Sequence, residues 1–589
     1  MRTAARVAAL VFAAFLLLSF LDKFLLVELL ARRTALPLAL AFLNSVAIVG
    51  AGFAVRGLRG RVWRVESESR ALDLPLDFII GYPIFGTLCF LVATLYASTW
   101  TLMPMTIVCA TFGAFAIVRA RESGVKSEPI AFTTSDVFPL VAIALVFIAG
   151  LLAAQAPPLS LDELAYHLAV PHTWLLEGRA IELPLLSHSY FPLGIESADL
   201  PLLAALDSGG GIASHFLHLL AAIAATLLIH RLTKRNLFAT AAIVATPALA
   251  LTAGWSLVDW PLLGITAALV LALDEDDHAT IAAAVGAGLL TKYTFIPLAL
   301  VALVVARRWR PALPGLAIGS VFFIRNLILT GNPVAPFLSP NAPHVSGYRA
   351  GAFLSDYVFD GRFLDESLGA SLLSLAALTA GQLAWILVMI GGLLFFLAPS
   401  SRLLIPFFAI PAARASENLG RSRAMRIILI IAISAQLLLV AFFVDRTGVF
   451  ELLSGRASDD ELVAKQRPSY AAVAWLNKTL PADSRTLLIG LSESYLFTRR
   501  VRGGGNFDGP RISKYLAAPL PEALYAQLRR DGITHVAIVT APPPTKDAKK
   551  LEERETVLSP DAQRMLAQTL DRYTANIVPG PNTVLFALR

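Results

Sequence analysis

The sequence predicts a polytopic α-helical membrane protein with a small C-terminal α/β soluble domain. Of the 589 residues, 56% are hydrophobic and 15% are charged, and the mean hydropathy is +0.67. Soluble domains carry about a quarter charged residues, so a water-soluble fold could not bury this much apolar surface. The apolar residues fall into runs of roughly 18 to 25, the length of a membrane-spanning helix. We therefore expect about 12 to 14 membrane helices, some of them short or re-entrant.

The positive charge of the chain does not indicate nucleic-acid binding. The net charge is +7 and the pI is 9.4, but the basic residues form small clusters at the ends of apolar runs, without interleaved aromatic residues. These clusters are interpreted as topology signals, and no nucleic-acid partner is expected. Cys89 and Cys109 lie within adjacent apolar runs, so neither a structural disulfide nor a zinc site is expected.

Residues 1–136 are predicted to form an N-terminal group of membrane helices. The first apolar stretch lacks a small-x-small cleavage pattern, which favours a membrane helix over a signal peptide. Basic clusters follow the second and fourth helices, and the positive-inside rule places both in the cytoplasm. The helices are predicted at 7–30, 36–55, 74–96 and 100–118, and the clusters contain Arg56, Arg59, Arg61, Arg64, Arg70, Arg119, Arg121 and Lys126.

Residues 137–444 are predicted to form the membrane core, with outer loops at 155–211 and 330–370. The first loop contains seven acidic residues and one basic residue, Arg179. The segment 279–306 begins and ends beside predicted cytoplasmic charges, so it must run toward the outer face of the membrane and return to the cytoplasmic face. Each half spans only roughly 18 Å as helix, so the turn at 291–292 should lie at depth within protein. Other elements are predicted at 137–154, 212–230, 237–253, 257–273, 311–329, 371–397, 402–410 (short or re-entrant) and 425–444.

Residues 445–589 have the composition of a soluble domain, which we expect at the outer face. If 402–418 crossed the membrane completely, this domain would be cytoplasmic, but the basic residues around that segment argue against a full crossing. The hydropathy pattern predicts a small α/β domain. Its helices are expected at 468–480, 521–530 and 560–571, and its strands at 486–491, 535–540 and 583–588.

Two adjacent carboxylates, Asp162 and Glu163, follow the fifth helix in S-L-D-E-L-A-Y-H. They could bind a divalent cation, Mg²⁺ or Mn²⁺, or accept a proton from a substrate hydroxyl. Alternatively, they only stabilise a helix N-terminus. Tyr166 and His167 lie one turn further and could share the same face, although a lone histidine is more often a hydrogen-bonded packing residue.

Further polar residues are predicted at the same membrane edge. Ionisable groups near lipid cost several kcal/mol unless they are paired or face a cavity. Lys292 could neutralise a lipid phosphate or pair structurally with Asp259 or the Asp162 loop. Arg325, beside Asn326, could hold phosphate oxygens or could be an interfacial arginine. Asn332 lies on the same side. Weaker candidates are His188 and Glu196.

These motifs, in this order and on one side of the membrane, resemble those of the GT-C superfamily of membrane glycosyltransferases, which includes protein O-mannosyltransferases and the lipid A aminoarabinose transferase. The family's acidic pair matches Asp162 and Glu163, and its helix-end aspartate matches Asp259. Its Thr-Lys matches residues 291–292, and its R-N-x-x-x-T-G-N-P turn matches residues 325–333. The resemblance covers about residues 137–445. The chain departs from the family in having four helices before the span that leads to the acidic loop, where many members have one. It also has Leu403 where a tyrosine is usual after Arg402.

The resemblance implies a polyprenyl-phosphate sugar donor and transfer to a lipid, glycan or protein acceptor. The reaction would occur at the periplasmic face of the bacterial cytoplasmic membrane. The resemblance assigns Asp162 as the base, Glu163 and Asp259 as metal-binding or acceptor-positioning groups, and Lys292 and Arg325 as phosphate binders. Two alternatives stay open: a lipid-linked-sugar transporter, which predicts broken helices in two related halves, and a scaffold that binds polyprenyl lipid without transferring sugar.

Overall fold

The computed structural model describes most of the predicted membrane core and the C-terminal domain. The predicted helix at 7–30, the predicted span at 371–397 apart from residue 386, the outer loop from residue 339 onward and Arg402 lie outside the described residues. The described residues are 31–62, 73–122, 134–206, 209–338, 386, 405–414, 423–505, 508–540 and 558–589.

The membrane part is built from helices, most of which lie where the hydropathy pattern predicts them. In chain order they are α1 (Leu36–Val62), α2 (Leu74–Leu95), α3 (Thr99–Glu122), α4 (Val137–Ala153), α5 (Ala169–Glu177), α6 (Gly194–Ser197), α7 (Leu200–Leu206), α8 (Gly210–Leu232), α9 (Leu237–Val244), α10 (Pro247–Ala250), α11 (Asp259–Asp274), α12 (His278–Leu289), α13 (Phe295–Val305), α14 (Leu313–Gly319), α15 (Val321–Thr330), α16 (Ile405–Arg414) and α17 (Arg423–Arg446).

Several apolar stretches form broken helices instead of continuous spans. Within the described ranges, five helices are long and apolar enough to cross a membrane, or six if the segment from Arg310 to Thr330 counts as one span bent by 53°. The stretch predicted as one span at 237–253 is divided into α9 and α10 at Thr246, before Pro247. The mainly helical fold is therefore confirmed, whereas the number of crossings stays a prediction.

The segment 279–306 forms the predicted outward and returning pair of short helices. α12 has 12 residues and α13 has 11, and the break between them contains Lys292. Asp277 caps the start of α12. Arg308, just after α13, lies 3.0 Å from Asp276, so both ends of the pair meet at the same end of the bundle. The break therefore lies toward the opposite end, as a helix of this length requires.

A group of ion pairs marks one end of the helix bundle. Arg56 Nε lies 2.6 Å from the fully buried Asp77 carboxylate. The other pairs at this end are Arg231 with Asp73, Arg414 with Asp274, and Arg308 with Asp276. They join segments whose basic residues the positive-inside rule places in the cytoplasm. The side of the membrane that this end faces stays a prediction.

Glycines allow the central helices to approach within backbone contact. A Cβ atom at Gly52 in α1 would lie 1.9 Å from the Asp77 carbonyl oxygen, and one at Gly86 in α2 would lie 1.7 Å from the Gly194 carbonyl oxygen. Small residues at helix crossings are typical of membrane bundles, where close van der Waals packing replaces the hydrophobic effect. Gly86 thereby admits the outer-loop helix α6 against the bundle.

The C-terminal domain is an α/β domain with a mixed five-stranded sheet in the order β2-β1-β3-β5-β4. β1 is parallel to β2 and β3, whereas β5 is antiparallel to β3 and β4. The sequence pattern missed β2, β4 and the helices α18, α19 and α21. The elements are α18 (Val449–Leu453), α19 (Asp459–Gln466), α20 (Tyr470–Thr479), β1 (Arg485–Ile489), β2 (Arg500–Arg502), α21 (Gly509–Leu516), α22 (Pro521–Arg530), β3 (His535–Val539), α23 (Pro560–Tyr573), β4 (Thr574–Gly580) and β5 (Thr583–Leu588).

The C-terminal domain packs on the first predicted outer loop. The buried carboxylate of Glu177, at the end of α5, lies 2.6 Å from Arg485 and 2.8 Å from Arg502. A ring nitrogen of His172 lies 2.9 Å from the carbonyl oxygen of Phe497. Charged and backbone contacts from several strands and loops therefore fix the domain against the loop that carries the acidic pair.

Replacing Glu177 by Gln should weaken this docking. The side chain of Glu177 is 4% exposed and those of its two arginines are 28% and 13% exposed, so the substitution leaves two partly buried cations without their counter-ion. We expect a loss of about 2 kcal/mol in the opening free energy of β1 and β2, measured by hydrogen exchange. The matched control is Glu522→Gln, whose partner Arg572 is 56% exposed and whose loss should have little effect. Equal effects of the two substitutions would contradict the prediction.

Candidate functional site

Glu163 is a buried structural carboxylate at the start of a short π-helical turn, Glu163–His167. One of its oxygens accepts hydrogen bonds from His215 Nε2 at 2.8 Å and from the Ser256 N–H at 2.7 Å, and the other accepts from the Ser160 N–H at 3.0 Å. Its side chain is fully buried. These partners join the turn to α8 and to the segment before α11, so the predicted catalytic and metal-binding roles of Glu163 gain no support.

Asp162 has a different environment from its neighbour. It is half-buried and takes the N-cap position of the turn Glu163–His167, but its side chain makes no capping hydrogen bond. Asp162 therefore lies at the N-terminus of the turn without a side-chain cap, and its stabilisation of a helix N-terminus stays a prediction. Because Glu163 is fixed on three sides, the backbone that carries Asp162 is held in place.

Lys292 and Asp259 come together from different helices. Lys292 lies in the break between α12 and α13, and Asp259 begins α11. Both residues are buried, and Lys292 Nζ lies 3.9 Å from Asp259 Oδ1. The pairing predicted as one role of Lys292 is therefore present. The separation is longer than a direct hydrogen bond.

His188 lies in a 3₁₀ turn, Ser187–Tyr190, which we call the His188 turn. The His188 imidazole lies within electrostatic range of Asp508, Asp162 and Lys292. Burial lowers the pKa of His188, Asp508 and Asp162 raise it, and Lys292 lowers it further. The imidazole is therefore neutral at neutral pH.

Aromatic side chains form one wall of this site. The ring of Tyr166 stacks on His188 with a centroid separation of 4.4 Å and contacts His167 at 4.0 Å. Phe191 contacts His188 at 4.9 Å and Tyr293 at 5.8 Å. These ring contacts join Tyr166, His188, Phe191 and Tyr293 into one continuous aromatic group.

Arg325 and Asn326 bind the protein backbone beside the site. Arg325 Nη1 donates to the carbonyl oxygen of Ser189 at 2.8 Å, and Asn326 Nδ2 donates to that of Tyr190 at 2.6 Å. Asn326 also donates to the Tyr293 hydroxyl at 3.0 Å. The two residues that sequence reasoning assigned to substrate binding therefore hold the His188 turn. Their role in phosphate binding stays a prediction without geometric support.

His167 belongs to a buried polar group behind the site. Its Nδ1 lies 2.8 Å from Glu196 Oε1. Nearby, His218 Nε2 lies 3.6 Å from Asp199, and the ring of Tyr82 contacts His218 at 5.5 Å. Sequence reasoning did not identify His215, His218, Asp199 or Asp508, because their partners are distant in the sequence. For His215 and His218, the one available signal was their spacing of i and i+3 in an apolar helix.

The described residues offer little for a metal ion. In these ranges, no three His, Cys, Asp or Glu side chains are grouped as ligands of one ion. Among the three predicted ligands, Asp162, Glu163 and Asp259, the oxygens of Glu163 already accept protein hydrogen bonds. A divalent cation stays a prediction, and chelation of the purified protein would test it.

Acidification should destabilise the protein through His188. Its pKa in the folded chain is lower than the usual value of about 6.5, so its contribution to stability is present above that value and is lost as the pH falls through the folded pKa. Thermal unfolding in detergent between pH 8 and pH 5 should show wild type losing stability relative to His188→Gln. The control is His278→Gln, an exposed histidine at the other end of the bundle. A difference in unfolding temperature between wild type and His188→Gln that stays constant from pH 8 to pH 5 would contradict this prediction.

Comparison with known proteins finds a similarity among solved structures but none among family models or curated proteins. Among solved structures, the chain is similar to "ArnT from Cupriavidus metallidurans in the apo state", with 13% sequence identity, 77% of this chain and 97% of that chain covered, and a TM-score of 0.42. At this identity and TM-score, the similarity carries no argument about family, substrate or mechanism.

Proposed function

We propose that the protein transfers a sugar from a polyprenyl-phosphate donor to a lipid, glycan or protein acceptor at the outer face of the bacterial cytoplasmic membrane. The observation that carries the proposal is that the Asp162 segment approaches the Lys292–Asp259 pair. Glu163, next to Asp162, accepts the N–H of Ser256, three residues before Asp259, and Lys292 Nζ lies 3.9 Å from Asp259. This arrangement combines a carboxylate able to accept a proton with a buried cation able to neutralise phosphate, at one end of an apolar bundle.

In the proposed reaction, the acceptor hydroxyl oxygen attacks the anomeric carbon of the donor sugar. The bond between that carbon and the phosphate oxygen breaks, and polyprenyl phosphate leaves with the bonding electron pair. The hydroxyl proton moves to the carboxylate of Asp162. Lys292 stabilises the negative charge that develops on the departing phosphate, and Asp259 holds Lys292 at that position.

The surface beside the site supports a donor whose tail stays in the bilayer. The helix that carries Arg325, α15, exposes apolar side chains that water would not favour. Leu338, just beyond the following turn, is 90% exposed. A lipid donor could therefore reach the His188 turn from the side while its prenyl chain remains among apolar residues. The exposed side chains on α15 are Ile324, Leu327, Ile328 and Leu329.

Purified full-length protein in liposomes should transfer radiolabelled sugar from a synthetic polyprenyl-phosphate donor and release polyprenyl phosphate in equal amount. A panel of donors with different sugars, each assayed with lipid, glycan and peptide acceptors, covers the proposed reaction. Absence of both transfer and donor hydrolysis across the panel, with protein that remains folded and binds donor, would contradict the proposal and favour the scaffold.

A transporter of the lipid-linked sugar is the second candidate, because broken helices are common in transporters. Breaks occur at Thr246, at Lys292 and at Ser320, all within one region of the described chain and not in two related halves. In sealed liposomes with a fluorescent donor and no acceptor, a transporter would move the donor between leaflets. The proposed transferase would not.

A further inference from the structure

The His188 turn is held from the membrane side by two residues of α15. Arg325 and Asn326 donate to the carbonyl oxygens of Ser189 and Tyr190, at 2.8 Å and 2.6 Å. The Arg325 guanidinium also lies 5.9 Å from the Tyr190 ring centroid. These contacts fix the second half of the turn, but they do not reach its first residue, Ser187.

The C-terminal domain holds the first half of the turn through Asp508. Both carboxylate oxygens of Asp508 accept the N–H of Ser187, each at 3.2 Å, and Oδ2 also accepts the N–H of Gly505 at 2.7 Å. Asp508 is only 1% exposed. A buried carboxylate that accepts backbone N–H groups from two domains fixes both backbones.

Arg511, one turn after Asp508, completes the hold from the same side. Its Nη1 donates to the carbonyl oxygen of Pro184 at 3.1 Å, and its guanidinium lies 5.4 Å from the Tyr190 ring centroid. The Tyr190 ring therefore has one arginine from each domain within cation–π distance. The His188 turn is thus clamped between the membrane helix α15 and the C-terminal helix α21.

Glycine at position 504 is required for this close approach. A Cβ atom there would lie 2.7 Å from the Leu185 carbonyl oxygen and 2.5 Å from Asp508 Cβ. Neither neighbour can move without displacing backbone. The glycine run at 503–505 therefore has a packing function at the domain contact, and it allows Asp508 to reach Ser187.

We propose that Asp508 is a positioning residue of the candidate active site, through which the C-terminal domain fixes His188 against Tyr166. The proposal deepens the proposed function and rests on it for the catalytic consequence. The C-terminal domain thereby takes part in forming the site. Without this domain, the His188 turn would keep only the contacts with Arg325 and Asn326.

The test is hydrogen exchange on the full chain in detergent, with Asp508→Ala compared with Asp561→Ala. Asp561 lies on the exposed surface of the same domain, with its side chain 83% exposed. Asp508→Ala removes the acceptor of the Ser187 amide, so that amide should exchange about tenfold faster, while β3 and β5 stay protected. Asp561→Ala should change neither. Unchanged exchange at Ser187 in Asp508→Ala would overturn the proposal.

A second variant keeps the proposal testable if Asp508→Ala loosens the whole domain. Asp508→Asn retains an acceptor oxygen but loses the charge that acts on His188. NMR of ¹³C-labelled histidine should show His188 titrating at a lower pH than in wild type, because Asp508 raises its pKa. An unchanged His188 titration would overturn the proposal.

Sugar transfer separates this inference from the proposed function. Asp508→Ala should lower kcat at least about tenfold with little change in the donor KM, because the donor-binding cation is elsewhere. An equal loss in Asp561→Ala would contradict a positioning role. If wild type transfers no sugar but the exchange and titration results hold, Asp508 still positions His188 and only the proposed reaction fails.

Discussion

Asp162→Asn should lower the kcat of sugar transfer at least about 1000-fold and leave the donor KM nearly unchanged. Asparagine has the same shape as aspartate but cannot accept the proton of the acceptor hydroxyl, and a general base contributes about 10² to 10⁴ in rate. Because asparagine keeps the shape of aspartate and Glu163 holds the adjacent backbone, the substitution should leave the fold intact. Steady-state assays with varied donor concentration measure the effect.

Two variants show whether the loss is specific to Asp162. Asp561→Asn changes an exposed carboxylate of the C-terminal domain and should keep wild-type rates. Glu163→Gln should instead reduce the amount of folded protein, because a buried amide cannot satisfy the same three donors. Wild-type kcat in Asp162→Asn would remove Asp162 as the base.

Lys292→Met should lower the transfer efficiency, kcat/KM for the donor, about 100-fold or more. The substitution replaces a buried ammonium group with an uncharged side chain of similar length, so the leaving phosphate loses its cation. Surface plasmon resonance or equilibrium binding with polyprenyl phosphate should show weaker binding by a similar factor. Lys478→Met, at an exposed position of the C-terminal domain, serves as the control.

The double variant Asp259→Asn with Lys292→Met separates two roles of Lys292. If Lys292 only neutralises Asp259, the single substitution leaves a buried carboxylate without its cation, and the double variant should recover stability and activity. If Lys292 binds phosphate, the double variant should recover stability and remain inactive. Recovery of transfer would contradict the phosphate-binding role.

Much of the fold could be predicted because lipid imposes a simple rule on sequence. Helix position follows from apolar length, and even the break at Lys292 follows from two halves too short to cross. The number of crossings could not be predicted, since prolines and packing divide some apolar stretches, as at Pro247. β2, with only three residues, is too short to give a periodic signal.

The candidate site was predictable in composition but less so in geometry. The low tolerance of lipid for charge identified Asp162, Asp259 and Lys292, and the structure brings them to one end of the bundle. That rule could not distinguish Asp162 from Glu163, because the burial of Glu163 depends on His215 and Ser256, far along the chain. For the same reason, the contact between Asp508 and the His188 turn could only be found in three dimensions.

The most direct test of the account is photo-cross-linking with a polyprenyl-phosphate sugar analogue that carries a photoreactive group beside the phosphate. Full-length protein in liposomes would be irradiated and the labelled peptides mapped by mass spectrometry. We expect labelling both in the peptide containing the His188 turn and in the peptide containing Lys292, with both signals removed by unlabelled donor. Competed labelling at the opposite end of the bundle, near Arg231 and Arg308, with none at these two peptides, would contradict the central claim.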